Sequence, residues 1–316
     1  MTIEATLAAS PPDHYVNHSR LGPFWVSSSV GYVLEIQASG GGRQPMYKKT
    51  TDGGQTWPGS GVSIDANNCR GITGWADWET SGDTGTKIHI AFYDNANGRI
   101  SYRSLDTSGD TLGTRTTIAT VTNDDTDMDT FELSLIKARG GNIYALHKWS
   151  TTQSHYYSTD AGATWAVRAN VPNFNQEDRH ELVPAADTDT NDIACVVSDD
   201  SADQYVFYLF DVSANTWDAG TVIVAAAAIN WPNVLGMCTS VRHSDNKAIF
   251  GGANDVDTAT MDLKCYELGL TAAGKSATAL TDVVSNTAEM AECALYIDNT
   301  TGDLYCAYMR GGTYPT

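Results

Sequence analysis

Glu132, Glu181 and Glu292 stand at matched distances, 11, 12 and 12 residues, ahead of the apolar residues Ile143, Ile193 and Leu304. If the strands carrying those residues are equivalent, the three carboxylates fall around one axis. There they could bind a cation or act as acid and base in glycoside hydrolysis, which needs two carboxyl groups flanking the scissile bond. Arg20, Arg43, Arg70, Arg179 and Arg310 fall near the same end of the strands, and a guanidinium fork grips a carboxylate in bidentate fashion. The same arginines would also serve as partners for the glutamates, leaving neither set for a ligand. Trp149, just past a strand end and beside His147 and Lys148, offers an indole face to a sugar or a plug to a core. The acidic run from Asp124 to Asp129 places Asp125, Asp127 and Asp129 where they could ligate Ca²⁺. It lacks the glycine and the final glutamate of an EF-hand loop, so a solvated connection is the competing reading.

These residues are positioned by a repeat. One apolar strand recurs as Tyr32 to Ile36, Lys87 to Ala91, Asn142 to Leu146, Asp192 to Val196, Lys247 to Phe250 and Asp303 to Ala307, with starts 55, 55, 50, 55 and 56 residues apart. Most copies follow a polar turn and another apolar strand, as in FELSLI or HELVPAA, and in most units a second strand pair comes after, as in RISYRSLD or DQYVFYLFD. Four short antiparallel strands in about 50 residues make the blade of a propeller. The expectation is an all-β chain, one domain over 1–316. It is a six-bladed β-propeller of four-stranded antiparallel blades, with units near 20–65, 69–120, 130–171, 180–226, 234–284 and 289–316. The sixth unit stops after its second strand, so the last blade is incomplete or closed by N-terminal residues 2–7.

A second repeat lies at the turn between the third and fourth strands of a unit. It reads TTDGGQTW from Thr50 to Trp57 and STDAGATW from Ser158 to Trp165, and both fit S/T-x-D-x-G-x-T-W at every defined position. Looser copies, one residue longer, carry Asp106 and Leu112 or Asp211 and Trp217. Asp52 and Asp160 are read as structural, since a short carboxylate can accept backbone N–H groups within a turn. Gly54 and Gly162 supply the positive φ, and Trp57 and Trp165 fold back as apolar plugs.

On these residues the chain resembles the sialidase-like, BNR or Asp-box repeat propeller superfamily over nearly its whole length. The resemblance implies Asp-boxes away from any active face and a site at the opposite end of the axis, among the loops that lead into each first strand. Arg20 is the counterpart of the family's first arginine, and Tyr308 or Tyr314 is available by position for its tyrosine nucleophile. The family's arginine motif is represented only by Ser19 to Pro23, and the loop from Gln37 to Pro45, where its acid normally lies, contains none. The fold alone does not imply an enzyme. The expected function is therefore a non-catalytic carbohydrate- or protein-binding or structural module, with a sialidase-like exo-glycosidase as the alternative.

A formal net charge of -19 disfavours nucleic acid and anionic membrane surfaces as partners and leaves a glycan, a protein or further copies of this chain. No apolar run is long enough to cross a bilayer. The N-terminus lacks the basic start and apolar core of a secretory signal, and the acidic composition would suit a virion-surface or extracellular component. The six cysteines lack metal-type spacing and are read as small buried thiols. No cofactor beyond the Ca²⁺ option is implied.

Overall fold

The computed structural model describes residues 20–39, 42–121, 132–149, 152–168, 171, 179–185, 190–199, 202, 204–224, 237–257, 260–271, 274–280, 284–286 and 290–310. Residues 2–7, proposed above to close the last blade, lie outside them, as do Asp125, Asp127, Asp129 and Tyr314.

Among the described residues six antiparallel sheets follow one another along the chain, and the recurring apolar strand is the second strand of each. The first sheet runs Phe24–Trp25, Gly31–Ser39, Gly42–Thr50, Val62–Ser63, and the second Cys69–Ala76, Lys87–Asp94, Arg99–Asp106, Thr111–Leu112. The third runs Glu132–Lys137, Ile143–Trp149, Thr152–Ser158, Ala166–Arg168, and the fourth Arg179–Pro184, Ile193–Asp199, Gln204–Asp211, Thr216–Trp217. The fifth runs Met237–Arg242, Lys247–Asp257, Thr260–Thr271, Gly274–Ala279, and the sixth contains Met290–Asp298 and Asp303–Arg310. In the second, fourth and fifth sheets a further short strand also pairs with the third strand. Among the described residues the only helical element is a single 3₁₀ turn, Asp77–Glu79.

The first strand of each sheet, from the second to the sixth, packs against the first strand of the next, while Gly31–Ser39 packs on Cys69–Ala76. This is a propeller-like arrangement about a common axis. It explains why the second strands read as continuous apolar bursts rather than alternating ones: neighbouring sheets cover both faces, as for Ile143–Trp149, which is buried at every position. The outermost strands, such as Ala166–Arg168, are largely exposed.

The two best-matched turns have the same internal hydrogen bonds. The Thr50 hydroxyl donates to Asp52 Oδ1 (2.8 Å) and accepts the Gly54 N–H, while Asp52 accepts the Thr56 N–H (3.0 Å) and hydroxyl (2.6 Å). Ser158, Asp160, Gly162 and Thr164 repeat this set atom for atom. The bonds from Thr56 and Thr164 hold both aspartates at a pKa of about 2. The second of these turns docks on the preceding sheet, where Trp165 packs edge-on to Tyr102 at 5.3 Å and Thr116 donates to Gly162 O, while in the first Gly53 N–H donates to Ser29 O of its own sheet.

Gly162 makes that docking possible. Its φ is +87°, and a Cβ there would lie 2.1 Å from the Tyr102 ring. Gly162→Ala is expected to cost about 2–3 kcal/mol, from left-handed backbone strain plus overpacking. Gly82→Ala is the control, since Gly82 has φ +81° but nothing within 4 Å of its Cβ. Urea unfolding of the two variants separates strain from clash, and equal losses would remove the docking argument.

Candidate functional site

The Arg20 side chain joins three sheets. The chain at Arg20 and Leu21 runs between the first and second sheets, where Gly74 N–H donates to Arg20 O (2.9 Å) and Leu34 N–H to Leu21 O (2.8 Å). From there the Arg20 guanidinium lies 4.3 Å from the Trp75 ring centroid in the second sheet. It donates to Glu181 Oε1 in the fourth (3.1 Å) and to Thr239 O and Oγ1 in the fifth (2.8 and 3.1 Å). Glu79 completes the group at 3.7 Å. Burial pushes the Glu181 and Glu79 carboxyls up, and Arg20 pulls both back in part. Beside Arg20 and Glu181, a cavity lined also by Thr73, Ser134, Leu135 and Leu182 has room for about one water molecule.

Glu132 and Arg179 begin the first strands of the third and fourth sheets, at the strand ends opposite the turns at Asp52 and Asp160. Arg179 Nη1 donates to Glu132 Oε1 (2.7 Å), and the other carboxylate oxygen accepts the His180 backbone N–H (2.9 Å). His180 lies with Nε2 3.2 Å from Leu146 O, and burial, reinforced by Lys148 and Arg179, lowers its pKa to about 3. His147 is lowered to about 3 as well, by burial and by His180.

Of the sequence candidates, the structure therefore pairs Arg20 with Glu181 and Arg179 with Glu132. It does not leave these four as an open ligand set. Trp149 is buried with its ring edge-on to Tyr93 at 5.2 Å, the packing alternative rather than an open stacking face. Arg43 is half-buried and its backbone N–H donates to Asn68 Oδ1 (3.0 Å). Glu292, Tyr308 and Arg310 lie on the two strands of the sixth sheet, where the backbone register sets Glu292 opposite Met309, Cys293 opposite Tyr308 and Met290 opposite Arg310. Among the described residues no three His, Cys, Asp or Glu side chains gather as a metal site.

Two networks gave no signal in the sequence. Asp77, the buried first residue of the 3₁₀ turn, bonds His89 Nε2 (2.9 Å) and Lys137 Nζ (2.5 Å), and His89 Nδ1 is 2.6 Å from the Tyr102 hydroxyl. Burial works against the Asp77 anion, but these bonds prevail and hold its carboxyl well below the usual range. At the same end of the axis, His243 Nε2 lies 3.1 Å from Glu79 O, Ser81 bonds Asn246, and His243 N–H donates to Asn299 (2.8 Å). The second, fifth and sixth sheets are thus tied together at the end that carries the Asp52 and Asp160 turns.

No family model matches the sequence, and no curated protein matches it. Solved structures do match in shape. Trypanosoma rangeli sialidase in complex with sialic acid superposes with a TM-score of 0.52 at 11% identity, covering 90% of this chain and 50% of that one. The likeness is one of fold, a sialidase-like β-propeller. Kuenenia stuttgartiensis hydrazine synthase superposes on the same propeller with a TM-score of 0.53 at 8% identity, covering 94% of this chain and 75% of that one. Against the K499G mutant of NanB sialidase from Streptococcus pneumoniae the TM-score is 0.48 at 13% identity over 66% of this chain. The chain spans half the length of the trypanosomal sialidase and 32% of the pneumococcal one.

Proposed function

We propose that this chain is a non-catalytic Asp-box propeller of six blades that offers the end of its axis opposite the Asp-box turns to a glycan. Residues 2–7, in which Ile3, Ala5 and Leu7 alternate with polar residues, supply the strand that completes the last blade. One observation carries the functional reading: two of the three glutamate candidates, Glu132 and Glu181, are each bonded to an arginine that could have bound a ligand carboxylate. Glu181 is held by Arg20 and Glu132 by Arg179, so neither a free proton donor nor a free arginine set remains among them. Support for a glycan as the partner comes from the fold shared with a sialidase solved with sialic acid.

A glycan-array screen run beside a panel of fluorogenic glycosides, sialosides included, tests this. The expected result is retention of one glycan class with no fluorophore released above the protein-free rate. Turnover of any glycoside would favour the hydrolase alternative, and capture of proteins with no glycan bound would move the partner to another class.

A further inference from the structure

Cys238 lies on the innermost strand of the fifth sheet, Met237–Arg242, and Cys293 on the innermost strand of the sixth, Met290–Asp298. These strands pack together, and the two Sγ atoms are 3.2 Å apart. Both thiols lie near the same acceptor, Gly251 O, at 3.6 and 3.8 Å. A Cβ on residue 251 would meet Cys238 Sγ at 3.1 Å, so glycine there leaves room for the two sulfurs. A disulfide needs S–S of about 2.0 Å, a closure of roughly 1.2 Å that side-chain rotation can supply. Cys238 is buried while Cys293 is partly exposed, which fixes the order in which an oxidant would meet them.

We propose that Cys238 and Cys293 form a redox-set staple between the fifth and sixth sheets, closed by a small-molecule disulfide of the glutathione type. The Cys293 thiolate attacks one sulfur of oxidised glutathione, forming a mixed disulfide and releasing one glutathione. Cys238, losing its proton, then attacks Cys293 Sγ, forming the internal S–S bond and expelling the second glutathione. The two cysteines give up two electrons and two protons, and one oxidised glutathione becomes two reduced molecules. Burial raises the Cys238 thiol well above its ordinary pKa, which makes the second step the slow one. The link matters because the sixth sheet holds only two strands among the described residues and gains a covalent tie to a full sheet.

The test uses the full chain, incubated with oxidised glutathione at pH 8, blocked with iodoacetamide and cut with trypsin and an Asp-specific protease without reductant. Asp-specific cleavage separates Cys293 from Cys306 and Cys195 from Cys238. Expected are a peptide pair joined through Cys238 and Cys293, lost on adding dithiothreitol, and a Tm raised by roughly 5 °C over the reduced protein. Cys293→Ser and Cys238→Ser should each abolish both the linked pair and the Tm difference. Mixed glutathione disulfides that never resolve, or links through Cys265 or Cys306 instead, would overturn the proposal, and the mapping on the unmodified sequence decides it even if a variant fails to fold.

Discussion

Between pH 7 and pH 5 the protein is expected to lose about 6 kcal/mol of stability, enough to unfold a typical domain. His147, His155 and His180 are each lowered from 6.5 to about 3, with burial as the largest cause. A base whose folded pKa is depressed is neutral in the folded state, while the unfolded chain takes up the proton near pH 6.5. The unfolded state therefore binds more protons throughout the window from 6.5 down to about 3, and stability falls as pH falls through it. At pH 5 each histidine contributes about 2 kcal/mol of that loss, from 1.36 kcal/mol per pKa unit. The raised carboxyl of Glu181 acts in the opposite sense, because its folded form holds a proton more tightly, and it offsets part of the loss below its folded pKa.

His155 gives the cleanest control. Neither ring nitrogen has a hydrogen-bond partner, and the ring is enclosed by Tyr144, Phe210 and Trp217 at 5.4, 4.9 and 5.3 Å. Arg168 is the charge that adds to burial in lowering its pKa. His155→Leu should be close to neutral at pH 7 and retain about 2 kcal/mol more than the parent at pH 5, read from urea unfolding at each pH. A parent whose stability is flat from pH 7 to 5, or a variant whose stability falls in parallel with it, would sink the assignment.

What could be read in the sequence was what acts locally. The second strands were visible because neighbouring sheets bury both their faces, so IYALH and IACVV stay apolar throughout. The turns at Asp52 and Asp160 were visible because their bonds are local: Asp52 bonds Thr50 and Thr56, two and four residues away. The looser copies keep the aspartate but do not put a glycine at the positive φ: Asp106 bonds Ser108 and Asp211 bonds Ser213, while Asp110, the residue after Gly109, and Asn215 take the positive φ themselves. Arg20 is the opposite case. Its partners Glu181 and Thr239 are 161 and 219 residues distant, and no local pattern connects them. Spacing brought Glu132, Glu181, Arg20 and Arg179 to one region but could not tell a set aimed at a ligand from two ion pairs aimed at each other. His89 and Asp77 gave no signal, since a histidine inside an apolar strand looks alike whether or not a carboxylate waits beneath it.

Arg20→Met should therefore act on folding before it acts on binding, with a loss of about 3–5 kcal/mol, the usual cost of leaving a buried charge unpaired. Glu181, with a side chain 10% exposed, would keep its carboxylate without the guanidinium. Glu79 is 31% exposed and can turn to water, so most of the penalty falls on Glu181. The double variant Arg20→Met with Glu181→Leu should recover much of the loss, because a buried pair replaced by apolar groups of similar size is often neutral. That recovery appears as a coupling energy in a double-mutant cycle. Arg20→Lys should not rescue the single variant: one ammonium cannot reach Glu181 and Thr239 while lying flat on Trp75 as the planar guanidinium does. A ligand-binding arginine would behave in the reverse way, with Arg20→Met as stable as the parent and glycan retention alone lost. If urea unfolding places that variant within about 0.5 kcal/mol of the parent, Arg20 is not the strut of this axis, and Glu181 becomes available again as a general acid.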